Sequence, residues 1–346
     1  MNSVGSEEML KAAVIGVGAM GQHHARVYDQ MPTTQLVGVA DADADVGRRV
    51  ARLCHTTACT DYRRLLDKAR PEVVTVAVPT ECHHRVALDA LEAGCHVLIE
   101  KPIAATEEEV RELVQRAGAL GRKLMVGHIV RFDPAVRALK RRLEAGELGR
   151  ISLVRCRRLG PFPPRVRDVG VVIDLATHDL DLIRYVTGQE VVRVYAETEQ
   201  EIHSAYEDLL IGTLRLADGT IGVLDVNWLT PTKIRELTVT GERGMFRVDH
   251  LTQDLCFYEN ADADDERKAN DEHWNAITLL RGVSEGRMIR YPVRKYEPLK
   301  AELEGFVQAI AEDKPVPVDG RDGLMALRLA QALVRSGREG RPLTFG

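Results

Sequence analysis

Residues 12–28 read AAVIGVGAMGQHHARVY: a short apolar run from Ala12 to Ile15 breaks at Gly16-x-Gly18-x-x-Gly21 and continues as a helical pattern. In a strand–turn–helix of this kind each glycine has its own duty. The first permits the tight turn, the second lets the main chain approach a pyrophosphate, and the third lets the helix pack closely on the strand. The helix then presents free N–H groups to the anion. Three glycines alone are a weak signal, so the flanks decide. A second strand, QLVGVA, ends at Asp41, 25 residues after Gly16, near the spacing of roughly 20 at which a carboxylate reaches the adenosine ribose. A carboxylate there accepts both ribose hydroxyls and repels a 2'-phosphate, which favours NAD over NADP. Arg48 and Arg49 lie downstream and would serve a phosphate if their loop folded back. An ordinary strand–helix turn with a solvated acid is the competing reading, and it leaves the agreement of four elements in order and spacing unexplained.

The alternation continues outward from this turn. DYRRLLDKA is helical with Asp61 as its cap, VVTVAV is a β-branched strand that stops at Pro79, and RVALDALEAG is a helix closed by Gly94. HVLIE is another buried-type strand, Thr106-Glu-Glu-Glu109 is a capping box that opens EEEVRELVQRAGALG, and KLMVG is one more short strand. Strands alternating with helices predict a doubly wound parallel sheet over residues 1–126, a Rossmann domain that binds NAD. Residues before Lys11 read as a frayed tail.

After about residue 127 the rhythm changes. ISLVRCRRL, VVRVYAETEQEI, EDLLIGTLRLADGTIGVLDVNWL, KIRELTVTGERGMFRVDH and LCFYEN follow one another as strands, with turn sequences at 217–220 and 241–244. AELEGFVQAIAE and GLMALRLAQALVRSG close the chain as amphipathic helices. The fold class predicted is therefore α/β: the Rossmann domain, then an α+β domain over 127–346 with a large, mainly antiparallel sheet covered by helices on one face. Its other face needs a cover, which predicts sheet-to-sheet homodimers or homotetramers. Residues 260–287 are rich in charge and read as an excursion, either a surface loop or a lid.

Composition bounds the function. The 346 residues carry a net charge of -5 with interspersed signs, which gives no electrostatic footprint for nucleic acid. No apolar run approaches a membrane span and the polar start MNSVGSEEML lacks a secretory signal, so a soluble cytoplasmic enzyme is expected. Six cysteines are scattered without a framework spacing and read as reduced thiols. Cys54-His55 with Cys59, and Cys82-His83-His84, have no second pair of ligands at zinc-site spacing, so no metal is expected.

Two further segments carry chemistry. Glu100-Lys101-Pro102 ends the HVLI strand and leaves Lys101 at its carboxyl end, where open α/β sheets bind ligands. Asp174-x-x-x-His178-Asp179 sits in GVVIDLATHDLDLIRYVTG and places a carboxylate and an imidazole one helical turn apart. With the glycine turn, these segments describe a hydride-transfer site over one carbon atom. A solvated strand-end lysine and a local i,i+4 pair are the bland alternatives.

The order VIGVGAMG, VAVPTECHH, HVLIEKP, GHIVRFDP and DLATHDLDLIRYVTG resembles the Gfo/Idh/MocA oxidoreductase family over essentially the whole chain. GHIVRFDPAV, PRVRDVGVVIDLATHD and TKIRELTVTGERG are most similar to its nucleotide-sugar 3-dehydrogenases, which act on UDP-N-acetylglucosamine. The resemblance implies oxidation of a secondary alcohol, the 3-hydroxyl of such a sugar, to a keto product. Oxidation of myo-inositol or a free sugar is the alternative within the chemistry, and a non-catalytic dinucleotide-binding regulator is the alternative outside it. Carried over by residue, the lysine of the Glu-Lys-Pro motif is Lys101, and the helix motif supplies Asp174 and His178. A histidine that titrates near neutrality suits the general base, Asp174 would orient its ring, and the Lys101 ammonium would stabilise the alkoxide. The implied cofactor set is Gly16, Gly18, Ala19, Met20, Gly21, Asp41, Pro79, Thr80, His83, Glu100 and Lys101.

Several residues keep two readings. His83 is either the family's histidine on the nicotinamide side or a helix-start cap. Asp179 either touches substrate or hydrogen-bonds backbone. Arg131 either forks onto a substrate anion or makes a hinge ion pair, Arg165 and Arg167 either grip a diphosphate or are surface charge, and His128 and Trp228 either line the pocket or pack. The substrate set so read is Lys101, Arg131, Arg165, Asp174 and His178.

Overall fold

β1 (Leu10–Ile15), β4 (Val73–Val76), β5 (His96–Glu100) and β6 (Leu124–Gly127) are buried along almost their whole length, as strands covered on both faces must be. With β2 (Thr34–Ala40) and β3 (Ala58–Cys59) they form one parallel sheet in the order β3-β2-β1-β4-β5-β6, the doubly wound order with its switch point beside β1. The protein is seen in a computed structural model that describes residues 9–163, 169–202, 205–260 and 285–345. The chain divides into two compact units, Met1–Phe132 with Glu297–Leu329, and Asp133–Tyr296 with Ala330–Gly346.

Helices α1 (Gly21–Gln30), α2 (Ala44–Leu53), α3 (Tyr62–Ala69), α4 (Thr80–Glu92) and α5 (Glu107–Ala119) connect the strands of the first unit. Their starts follow side-chain chemistry. Asp61 accepts from the Arg63 amide at 3.0 Å, and Thr106 and Glu109 form the reciprocal capping box.

The second unit holds β7 (Ile151–Pro161), β8 (Val191–Glu199), β9 (Leu209–Leu216), β10 (Ile221–Asn227), β11 (Leu229–Gly241), β12 (Gly244–Asp249), β13 (Asp254–Asn260), β14 (Glu285–Tyr291) and β15 (Leu343–Thr344). They pair in the order β14-β13-β12-β11-β7-β10-β9-β8-β15. β7 and β10 are parallel; the remaining neighbours are antiparallel. Side chains alternate as a half-covered sheet requires: on β9, Leu210, Leu214 and Leu216 are buried while Ile211 and Thr213 are exposed. α6 (Pro134–Glu144) packs on β12 and β13, and α7 (Thr177–Thr187) packs on β7.

α8 (Pro298–Ala311) and α9 (Gly320–Glu339) end the chain. Leu299, Leu303 and Phe306 of α8 join the core of the first unit, and α8 packs on α1 and on the 3-10 turn Ile129–Phe132. This differs from a simple cut at 126/127. The chain leaves the first unit at Phe132, and residues 297–329 return to it because the apolar face of α8 is buried there. A second difference lies at the end of the expected 260–287 excursion. Residues 285–287 belong to the edge strand β14, whose pairing with β13 is set by Leu255 opposite Tyr291 and Phe257 opposite Ile289. Residues 261–284 lie outside the described residues, and so does the reading of them as a loop or lid.

Candidate active site

In the first unit the glycine turn is fixed by sterics. Gly16 has φ +83°, and a Cβ there would lie 2.6 Å from the Ala77 carbonyl oxygen. A Cβ on Gly21 would lie 1.8 Å from the Gly16 carbonyl oxygen. Gly18 differs, since nothing lies within 4 Å of a Cβ built on it. Packing therefore does not require this glycine; its bare backbone borders open space, as a cradle for a phosphate would. Ala19 and Met20 complete the turn, and α1 starts with no side-chain cap and no acidic residue in its first turn, which leaves its positive end available to an anion.

Asp41 closes the far side. Its Oδ2 accepts from the Val17 amide at 2.8 Å and its Oδ1 from the Asp43 amide at 2.9 Å, so the carboxylate is held at the end of β2. A cleft of about 520 Å³ is lined by Gly16, Gly18, Asp41, Thr60, Tyr62, Pro79 and Arg85. Arg48, the candidate partner of a 2'-phosphate, bonds Asp45 at 2.5 Å. Arg85 and Tyr62 were not legible as cleft residues: Arg85 is exposed on α4 and reads as a solvated charge, while Tyr62 shares the apolar face of α3 with Leu65 and Leu66 and reads as core.

At the carboxyl ends of β4 and β5 lies a second group. Thr80 begins α4 after Pro79. The His83 ring spans two main-chain carbonyls, Nδ1 to Pro102 and Nε2 to Val78, each at 2.8 Å. It thus ties together the segments after β4 and β5, and it does not cap α4, since a cap accepts from helix amides. Burial lowers its pKa against the pull of both carbonyls and of Glu100. Glu100 is buried and bonds His24 Nε2 at 2.8 Å, while its other oxygen accepts the Lys101 amide at 3.2 Å. Burial works to raise the Glu100 pKa, but the bond and charge of His24, helped by Lys101, outweigh it and hold the carboxyl below its usual range. Lys101 is half-buried and its peptide bond to Pro102 is cis. Arg131 is buried, with Nη1 on Asp322 at 2.9 Å and near the Pro317 carbonyl at 3.5 Å, so the ion pair is the contact seen.

Glu302, on α8, was not singled out by its surroundings in sequence. It is fully buried and neither carboxyl oxygen has a hydrogen-bond partner among the described residues. Burial, with the Glu100 charge second, pushes its pKa well above the usual range. A native pKa above the unfolded value of about 4.3 means that the native chain holds a proton which the unfolded chain releases. The contribution to stability is full below about pH 4 and is lost as pH rises toward the native value. Glu302→Gln is therefore expected to raise Tm over wild type by a margin that grows from about pH 5 to about pH 8. Thermal melts at both pH values check this, and an equal margin at the two would show that Glu302 does not titrate in this way.

In the second unit, Asp174 lies in a π-helical turn, Val172–Ala176, that runs directly into α7. Asp174 and His178 therefore straddle a change of helical pitch instead of one regular α turn, a local irregularity that recurs at functional sites. Asp174 is buried while His178 is partly exposed. Asp179 follows neither of its two readings. Both of its oxygens are clasped by Arg158 of β7, with Nε at 3.1 and 2.9 Å and Nη2 at 2.7 Å. Arg158 is itself buried, and the fork pins the start of α7 to the sheet. A signal for it existed: in LVRCRRL, Arg158 shares the buried phase of Val154 and Cys156. Arg165 and Arg167 lie outside the described residues. Trp228 is buried with its ring edge-on to Phe162 at 5.4 Å, and His128 is buried.

All six cysteines are unpaired. Among the described residues no helix is long and apolar enough to cross a membrane and no cluster of three or more metal-type ligands occurs.

With this geometry in hand, comparison with known proteins is specific. Residues 10–128 match the oxidoreductase family with an NAD-binding Rossmann fold, and residues 136–247 match the GFO/IDH/MocA C-terminal domain. The UDP-N-acetylglucosamine 3-dehydrogenase of Acidithiobacillus ferrooxidans is 32% identical over 93% of this chain and 95% of its own. A solved structure of that enzyme superposes with a TM-score of 0.83, covering 95% of this chain and 97% of the other at 30% identity. The inositol 2-dehydrogenase of Rubrobacter xylanophilus is 28% identical over 98% of this chain and 94% of its own. The chain belongs to the Gfo/Idh/MocA family and is an NAD-binding oxidoreductase that acts on CH–OH groups.

Proposed function

We propose that the protein oxidises a secondary alcohol on a nucleotide sugar, the 3-hydroxyl of UDP-N-acetylglucosamine, to the 3-keto sugar. The observation that carries this reading is the similarity to the Acidithiobacillus enzyme along nearly the full length of both chains. Myo-inositol is the second reading, favoured by the inositol dehydrogenases among the relatives.

In the proposed reaction the alcohol loses a proton and a hydride. NAD, when bound, supplies the hydride acceptor. Gly16, Gly18, Ala19, Met20 and Gly21 would hold its pyrophosphate and Asp41 its ribose; Pro79, Thr80, His83 and Glu100 would shape the nicotinamide side. His178 takes the hydroxyl proton as general base, since a partly exposed imidazole can meet a ligand, and Asp174, one turn earlier, would orient its ring. The Lys101 ammonium stabilises the developing alkoxide. Arg131 is assigned no direct contact, since Asp322 already engages it. The exposed Ile211 and Ile221 on the outer face of the large sheet support self-association as a dimer or tetramer.

NADH formation with a panel of UDP-N-acetylglucosamine, N-acetylglucosamine and myo-inositol tests the substrate. The nucleotide sugar is expected to give the highest kcat/KM by a factor of ten or more. Turnover of free polyols only would overturn the reading.

A further inference from the structure

On β11, two cationic side chains have donors without a partner among the described residues. Arg235 lies directly across from Arg158 in the β7–β11 pairing, so the two guanidinium groups start from the same face of the sheet. Arg158 is neutralised by Asp179. Among the described residues Arg235 pairs with no acid: Nη1 donates to the main-chain carbonyls of Leu159 and Ile234, and Nε and Nη2 make no hydrogen bond there. The group is half-buried, and burial and the neighbouring Arg158 charge lower its pKa, against the pull of Asp179 and Asp174. A guanidinium in that position gains from an anion brought by a ligand.

A bulge supplies the second charge. Leu229 pairs with Pro161, yet Ile234 already pairs with Leu159, so residues 230–233 stand out of the ladder opposite Gly160. Bulges of this kind re-aim side chains and are frequent beside active sites. Here the bulge carries Lys233, which is exposed and has no partner among the described residues. Lys233 and Arg235 meet over Gly160: a Cβ on that glycine would lie 3.6 Å from Lys233 Cγ and 3.8 Å from Arg235 Nη1 and Nη2.

We infer that Lys233 and Arg235, laid over Gly160, form the subsite that binds the phosphate-bearing part of the substrate and so distinguish a nucleotide sugar from a free polyol. The chemistry matches in sign and in number, because a nucleoside-diphosphate ester carries two negative charges and the pair offers two positive ones. An arginine fork with free N–H edges suits phosphate oxygens, and the lysine adds a mobile point charge. A free polyol would leave both groups without a counter-charge. The inference deepens the nucleotide-sugar reading and rests on it.

The test compares wild type with Arg235→Gln, Arg235→Lys and Lys233→Gln, measuring kcat and KM for UDP-N-acetylglucosamine, N-acetylglucosamine 1-phosphate and myo-inositol, and inhibition by UDP. Arg235→Gln is expected to raise KM for the nucleotide sugar and the UDP inhibition constant together by tenfold or more, with Lys233→Gln giving a smaller rise. Arg235→Lys should fall between wild type and Gln, because it keeps the charge and loses the fork. If Arg235→Gln does not fold, the exposed Lys233→Gln decides. Turnover of UDP-N-acetylglucosamine with KM and UDP inhibition unmoved in these variants overturns the subsite and leaves the proposed reaction standing. Turnover of myo-inositol alone, with UDP inhibition that the variants relieve, overturns the proposed substrate and keeps the subsite. Turnover of myo-inositol alone without UDP inhibition overturns both. Turnover of the sugar 1-phosphate with variant-sensitive KM supports a phosphate subsite whose ligand is not a nucleotide.

Discussion

Replacing His178 by asparagine is expected to lower kcat about a hundredfold or more, the usual contribution of a positioned general base, while leaving NAD affinity within about twofold. The two outcomes separate because the residues differ in location. The proposed cofactor groups are main-chain and side-chain atoms of the glycine turn and of Asp41 in the first unit, whereas His178 begins α7 in the second. Asparagine keeps a polar group of similar reach and cannot take up the proton at neutral pH, so the loss should appear in the chemical step. Single-turnover NADH formation, with NAD binding measured on the same variant, gives both quantities. Turnover equal to wild type would remove His178 from the mechanism; loss of turnover together with loss of NAD binding would point to misfolding instead.

The second large effect lies behind His178. Asp179→Asn leaves the Arg158 guanidinium buried without its counter-charge, and breaking one side of such a pair is expected to destabilise by about 3–5 kcal/mol. At the sensitivity usual for units of this size, this lowers the unfolding midpoint by roughly ten degrees. The fork also fixes where α7 starts on β7, so activity should fall at temperatures where the variant is still folded. Replacing both partners, Arg158→Met with Asp179→Leu, removes the unpaired charge and should recover much of the stability without recovering activity. Thermal unfolding of wild type, single and double variants provides the cycle. A midpoint for Asp179→Asn within about one degree of wild type would mean that water, not protein, solvates Arg158.

The two predictions differ in how far they could be read from sequence. His178 could be proposed from sequence because its chemistry is local: an imidazole four residues after a carboxylate, in a segment that a family motif also marks. For Asp179 the sequence held only half of the pair: the alternation in LVRCRRL puts Arg158 in the buried phase, but nothing along the strand says that this arginine meets a carboxylate 21 residues later. Glu302 is a stronger case of the same kind. On an amphipathic helix a glutamate reads as a solvated residue, and only the packing of α8 in the first unit turns it into a fully buried acid whose pKa is raised.

The sequence by itself determined the Rossmann turn, most of the alternation of strands and helices in the first unit, the capping of α3 and α5, and the change to a mainly antiparallel sheet. All of these rest on periodicity, on the sterics of glycine and proline, or on spacing along one short segment. Tertiary structure alone decided that residues 297–329 return to the first unit, that a π turn precedes α7, that Arg158 holds Asp179, and that a bulge sets Lys233 beside Arg235. Each of these depends on which distant residues are brought together, and pairing across a sheet follows from the burial and register of the whole chain, which no single segment encodes.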